Sequence, residues 1–274
     1  MKNRNLSSLF LHGILIIGLV ATVLPFLWML STSFKPVEQI FVYPPQWIPH
    51  PPILDHFRQL FQQVDFLLHF KNSIIIAAGI TFVSLFFSSM AGYAFAKLQF
   101  PKREKIFALL LATMMIPGQV TMIPVFLILR NLGLLNTYWG LILPASTSVF
   151  GIFLVRQFMR SLPSELIESA RIDGCSEFRI YWNIMLPQAM PALATLAIFT
   201  FMASWNDFLW PLIVMTKESM YTLPVALANL NGQYNTEWGL LMAGSVVVIL
   251  PILILFLALQ RYFVRGIALT GMKG

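Results

Sequence analysis

Glu168, Arg171 and Asp173 bracket the small pair Ser169 and Ala170 and lead into Gly174, within the segment 161–187 that reads SLPSELIESARIDGCSEFRIYWNIMLP. A small patch edged by charges and by Leu166, Ile167 and Ile172 suits insertion into a cleft of another protein. An amphipathic hairpin resting on lipid headgroups is the competing reading. Reactive chemistry fits the chain less well. None of its 15 glycines is followed by lysine, so a phosphate-cradling Gly-x-x-x-x-Gly-Lys-Ser/Thr loop is absent. His50, His56 and His69 fall in one polar stretch without a His-Glu-x-x-His pattern, and are expected to be solvated rather than metal ligands. Cys175 has no neighbouring histidine to activate it and is expected to pack as a small residue. No catalytic set, metal site or resident cofactor is expected, and the chain is not read as an enzyme.

Two further groups could handle a polar solute. Asn206 and Asp207 stand between Trp205 and Trp210, and amides and carboxylates beside indole faces suit the hydroxyls and C–H surfaces of a sugar. Asp207 as a helix-bracing acid, and the tryptophans as interfacial anchors, are the alternatives. Pro117 and Gly118, with Pro124 beyond, interrupt an apolar run beside Gln119 and Thr121. Broken backbone at membrane depth is tolerated only where it is buried or faces a wet cavity. Gln119, Thr121, Trp205, Asn206 and Asp207 are therefore the candidate pathway residues.

The elements that must carry these groups follow from composition. Of 274 residues, 58% are hydrophobic and 11% charged, with 24 Phe and 14 Met, a surplus that a water-facing surface cannot hold. The bilayer is the expected solvent. A hydrocarbon core about 30 Å thick takes about 20 apolar residues in helix. Six segments fit: 9–30, 74–96, 106–129, 139–155, 189–214 and 239–259. The first exceeds a signal-peptide core and lacks a cleavage site, so it reads as an anchor. The resulting division is a cytoplasmic N-terminus 1–8, an outer loop 31–73 with a Pro-rich stretch, a core 74–264 and a tail 265–274. With both termini inside, 13 of the 18 Lys and Arg fall on the cytoplasmic side, in keeping with the positive-inside bias. The net charge of +7 thus reports topology rather than nucleic-acid binding. Ionisable groups within the spans reduce to His12 and Asp207, too few for a proton relay; an ion-coupled secondary transporter, with a sodium site built from carbonyls, or a channel is the alternative.

In the inner loop 156–188, Pro163 and Glu165 suit a helix start, Gly174 suits the positive φ that closes it, and Ser176 can cap a second short helix running to Pro187. The spacing Glu168-Ser169-Ala170, three residues, Gly174, nine residues, Ile184, Met185, Leu186-Pro187 resembles the Glu-Ala-Ala (EAA) loop of ATP-binding-cassette importer permeases. Serine in place of the first alanine is the one departure. Further similarity lies in Pro25–Leu30 with Ser33-Phe34-Lys35, Ala91–Ala96, Met115–Gln119, Ala170–Gly174, Trp205–Leu212 and the tail Gly271–Gly274. These pieces resemble the carbohydrate branch, similar to the smaller permease of the maltose transporter. The resemblance implies an all-helical, six-span permease fold whose loop (Glu168, Ser169, Ala170, Arg171, Asp173, Gly174, Ile184, Leu186, Pro187) seats in a cytoplasmic ATPase. It also implies a second homologous permease, two ATPase copies that bind ATP and Mg, and an extracytoplasmic solute-binding protein.

Overall fold

The computed structural model describes residues 2–63, 65–229 and 237–270, all helix and connecting segments, with no strand among them. The tail motif 271–274 lies outside the described residues. In chain order the helices are α1 (Lys2–Thr32), α2 (Val37–Ile40), α3 (Asp55–Gln63), α4 (Phe66–Lys97), α5 (Arg103–Thr113), α6 (Gly118–Asn131), α7 (Tyr138–Ile142) and α8 (Val149–Ser161). There follow α9 (Glu165–Ile172), α10 (Glu177–Ile180), a π-helical turn (Tyr181–Met185), α11 (Leu186–Gln188), α12 (Met190–Trp205), α13 (Leu209–Val214), α14 (Leu223–Asn229) and α15 (Trp238–Thr270).

Among the described residues, three stretches are long and apolar enough to cross a bilayer unbroken: Leu11–Thr32, Phe66–Lys97 and Trp238–Ala258. At about 1.5 Å per residue, α4 with its 32 residues reaches about 48 Å, more than the hydrocarbon core requires. Two further pairs are bent: α5 and α6 meet at 94°, and Glu177–Gln188 meets α12 at 75°.

Three expectations about helix continuity need correction. The run 139–155 is not one helix: α7 ends at Ile142, and α8 begins only at Val149. Pro144 offers no N–H to continue the first helix, and the Ser148 hydroxyl accepts from the Gly151 N–H (3.1 Å), so it caps a new one. Nor does Pro124 break anything; it sits inside α6, and the break falls at Met114–Pro117. The helix from 189 ends at Trp205, not 214, and restarts as α13.

The chain divides into two compact units, Met1–Leu67 with Ala226–Pro251, and Leu68–Val225 with Ile252–Gly274. Within the first, the buried Lys35 places its Nζ 3.6 Å from the centroid of the Trp28 ring, and Trp28 packs edge-on against Trp47 at 5.0 Å. His56 is buried rather than solvated: its Nε2 lies 2.8 Å from the Lys35 carbonyl, and its ring occupies the space a side chain on Gly239 would need. His69, in the second unit, is also buried, against Tyr221; of the three, His50 is exposed.

In the second unit, the C-terminal half of α4 packs on α8, the 165–189 segment and α12 around Tyr93, Val155, Met159, Ile180 and Leu196. Its N-terminal half packs on α6, α7 and α13 around Ile76, Leu129, Leu141 and Val214. Close approach explains Gly92, where a Cβ would lie 2.8 Å from Val155.

Candidate functional site

The segment 161–188 folds as the helical hairpin its sequence predicts. Helix α9 ends in a Schellman turn: Gly174 has φ +76°, its N–H donates to Arg171 O (3.0 Å), and the Cys175 N–H reaches back to Ala170 O (2.9 Å). The side chain of Cys175 is half-buried against the same core, as a packing residue should be. The Ser176 hydroxyl accepts from the Arg179 N–H (3.4 Å) at the start of α10.

One assignment changes. Ala170 is not on the approachable face: it is 5% exposed and turns inward with Ile167, three residues earlier on α9. The outward face carries Glu168, Ser169, Arg171, Asp173 and Gly174 with the apolar Leu166 and Ile172, the latter 86% exposed. Ile184 and Leu186 are half-buried against the core, and Pro187 is exposed. The inward residues Ile167, Ala170 and Ile180 are buried by protein, which distinguishes this hairpin from one that merely lies on headgroups.

Polar clamps that the sequence did not disclose tie the hairpin to the helices around it. Glu177 receives Arg171 Nε on one carboxylate oxygen (2.7 Å) and the Tyr93 hydroxyl on the other (2.8 Å), joining both arms to α4. Lys97 Nζ donates to Leu162 O (2.7 Å), and the hydroxyls of Ser89 and Tyr181 meet at 2.7 Å. On α8, Arg156 is 3% exposed, bonds both oxygens of Glu104 (2.8 and 2.7 Å) and the Phe95 carbonyl (3.2 Å), and lies 3.8 Å over Phe107. Both carboxylate contacts come from Arg156 Nη2 while its Nε holds the Phe95 carbonyl, so one guanidinium ties α8 to α4 and to the start of α5 through charge-assisted bonds. Glu104 and Arg156 are 52 positions apart, and no local spacing signals such a pair.

The candidate pathway residues divide. Trp205 is 1% exposed, stacked on Phe201 at 5.6 Å and edge-on to Phe70 at 5.8 Å, so it braces the core. Asn206 is exposed and spends its amide on Met202 O of its own helix (2.9 Å). Asp207 stands at the α12–α13 break, where its Oδ1 accepts from the Trp210 N–H (3.4 Å). It also lines two cavities. The larger, about 530 Å³, lies between α4, α7, the start of α8, and the α12–α13 break. The smaller, about 410 Å³, is lined by Gln119 and Thr121 from the start of α6. Asp207 and Trp210 belong to both and so divide them. Gln119, Thr121 and Asp207 are thereby brought together, whereas Trp205 and Asn206 are not among the residues lining either cavity. Ser84, Thr200 and Ser204 were missed; lone hydroxyls in apolar helices were their only signal. Among the described residues no group of three His, Cys, Asp or Glu could hold a metal ion.

Comparison with known proteins agrees with this architecture. Residues 84–269 match the family described as binding-protein-dependent transport system inner membrane component. The chain is 41% identical over 276 aligned positions to the arabinooligosaccharides transport system permease protein AraQ of Halalkalibacterium halodurans, covering 98% of this chain and 97% of the relative. It is 34% identical to the lactose transport system permease protein LacG of Rhizobium radiobacter, over 96% of each chain. In fold it matches a chain of a bacterial ABC transporter involved in the import of the acidic polysaccharide alginate, with a TM-score of 0.87 at 23% identity, covering 96% of this chain and 98% of that one. A family match over most of the chain and relatives aligned nearly end to end, on an all-helical fold with a built EAA-type hairpin, establish that the chain belongs to the inner membrane components of binding-protein-dependent ABC importers.

Proposed function

We propose that this permease subunit translocates a carbohydrate or related polyol through the bacterial cytoplasmic membrane, driven by a separate ATPase that docks on the 161–188 hairpin. The observation that carries the reading is the hairpin itself: its inner face is fused into the core while charged and apolar side chains, Glu168, Asp173 and Ile172, project outward. A seat for a partner needs both rigidity and an unspent surface. Relatives named for arabinooligosaccharides and lactose support a carbohydrate cargo.

The finer arrangement belongs to the same proposal. Six spans with both termini cytoplasmic would be α1, α4, the bent pair α5 and α6, α7 with α8, α12 with α13, and α15, leaving the 161–188 hairpin outside the membrane. The 13 cytoplasmic Lys and Arg support this orientation. ATP and Mg belong to the paired ATPase subunits, a second homologous permease completes the pathway, and a solute-binding protein delivers the cargo to the outer loops.

The test is affinity purification of the tagged chain from native membranes after mild cross-linking, with mass spectrometry of everything retained. An ATPase, a second permease and a solute-binding protein are expected. Recovery of the chain alone, with uptake abolished by ionophores but not by ATP depletion, would replace this reading with an ion-coupled transporter.

A further inference from the structure

Resting on that reading, we infer that the larger cavity of this subunit is a subsite for a neutral carbohydrate and discriminates against an acidic one. Its volume of about 530 Å³ falls within the range of small-molecule sites, about 300–1,000 Å³. Its surfaces are of two kinds. Phe150, Phe199 and Trp210 supply aromatic faces on which the C–H surface of a sugar ring can rest. Ser84, Thr200 and Ser204 supply hydroxyls, which both donate and accept and therefore match a ligand made of hydroxyls.

Ser84 makes the strongest demand for an occupant. It is fully buried, and its Oγ has no hydrogen-bond partner in the protein, although a buried hydroxyl normally finds one. One turn further along α4, Ser88 reaches Ser148 O at 3.5 Å, so an unmet serine at this level is not a general feature of the helix. Ser84 lines the cavity and needs a partner from within it.

The charge pattern sets the class. Among the residues lining the two cavities, Asp207 is the one ionisable side chain, and it faces both. The start of α8, a helix of 13 residues, also borders the larger cavity through Thr147, Ser148 and Phe150. A helix N-terminus favours oxygen-rich ligands, and by itself would favour an anion. The Asp207 carboxylate opposes that preference, and no lysine or arginine on the lining offsets it. A uronate or phosphate ester would bring a like charge against Asp207, whereas a neutral sugar hydroxyl can donate to it. The solved structure with the same fold serves an acidic polysaccharide, so the fold does not dictate this choice; the lining does.

The test uses the complete transporter in proteoliposomes, with Cys175→Ser in this chain so that the thiol introduced by Ser204→Cys is its one reporter. Arabinotriose and lactose are first assayed for ATP-dependent uptake. A water-soluble cationic methanethiosulfonate should modify the reporter, followed by mass spectrometry of this chain. The transported sugar, at four times its half-saturating concentration, should slow modification about fivefold, the factor 1 + [L]/Kd of competitive protection. An alginate trisaccharide at the same concentration should leave the rate unchanged, and should begin to protect once Asp207→Asn is added. Modification that ignores a transported sugar, or that only a membrane-permeant reagent achieves, would overturn the subsite. Equal protection by the alginate trisaccharide without Asp207→Asn would overturn the selectivity. ATP-dependent uptake of neither sugar would overturn the carbohydrate reading, and the subsite with it.

Discussion

Substitution of Gly174 tests how much one backbone angle contributes to the ATPase docking proposed for the hairpin. Its φ of +76° lies in the left-handed region, and a Cβ built there meets nothing within 4 Å. The penalty for a larger residue is therefore conformational and not steric. For an L-residue it is about 1–2 kcal/mol, less for Asn and Asp, which visit this region more readily. If docking requires the Schellman turn intact, Gly174→Ala should weaken binding of the ATPase by about 5–30-fold, since about 1.4 kcal/mol is tenfold. Gly174→Asn should recover most of the affinity, and Gly174→Val should be worst because β-branched residues tolerate positive φ least. The assay is titration of the purified ATPase onto the permease complex in nanodiscs, with the amount of inserted chain compared first. The hairpin core of Ile167, Ala170 and Ile180 is untouched, so insertion should not change. Wild-type affinity in all three variants would refute the requirement for the turn. Equal damage from Asn and Val would mean that side-chain bulk against the ATPase, and not backbone strain, is what counts.

Other perturbations test the supports. Removing the Tyr93 hydroxyl with Tyr93→Phe and the carboxylate with Glu177→Gln should show coupling of about 1 kcal/mol in a double-mutant cycle of thermal stability, because the two groups share a 2.8 Å hydrogen bond; strict additivity would contradict the clamp. Gly92→Val should cost about 1–3 kcal/mol by overpacking against Val155 and the Arg156 backbone, seen as a lowered unfolding midpoint. Burial holds the Lys35 ammonium below its ordinary pKa of 10.5. Between that lowered value and 10.5 the unfolded chain binds more protons than the folded one, so stability should rise with pH across this window. Lys35→Met should abolish the rise, and an unchanged pH profile in melting experiments would sink the assignment.

The hairpin was legible because its signals are local. Gly174 and Ser176 each act within a few residues and do in the structure what their chemistry dictates, whereas Pro163, expected in the first turn, stands just ahead of α9, which begins at Glu165. The inward turn of Ala170 was available too, since Ile167 lies three residues before it on the same helical face, but the motif drew attention to small size and away from periodicity. The broken run 139–155 did carry a signal, Pro144 followed by the hydroxyl residues Ser146, Thr147 and Ser148, but a membrane helix tolerates proline when neighbours satisfy the freed groups, so that signal alone does not end a span. Trp205 was misplaced for another reason. An indole suits a lipid interface, a sugar or a packed core equally well, and only Phe70, 135 positions earlier in the chain, decides among them. Ser84, Glu104 and Arg156 share that property: their roles exist only once distant helices meet.

Connectivity explains how one surface can govern the other. Helix α8 begins at the cavity with Ser148 and Phe150 and ends at Ser161, where the hairpin starts. Helix α12 leaves the hairpin at Ala189 and ends at Trp205, beside Ser204 and Asp207 of the same cavity. The two walls are thus about 20 and 24 Å of unbroken helix away from the hairpin, at about 1.5 Å per residue, with no long linker between. A third connection runs through Arg156, which holds Glu104 at the start of α5; that helix leads through the break at Met114–Pro117 to Gln119 and Thr121 in the smaller cavity. Packed helices are discrete arrangements that shift as bodies rather than stretch. A displacement imposed on the outward face of α9 must therefore be taken up at the helix breaks, and Asp207 with Trp210 stands at one break and faces the other.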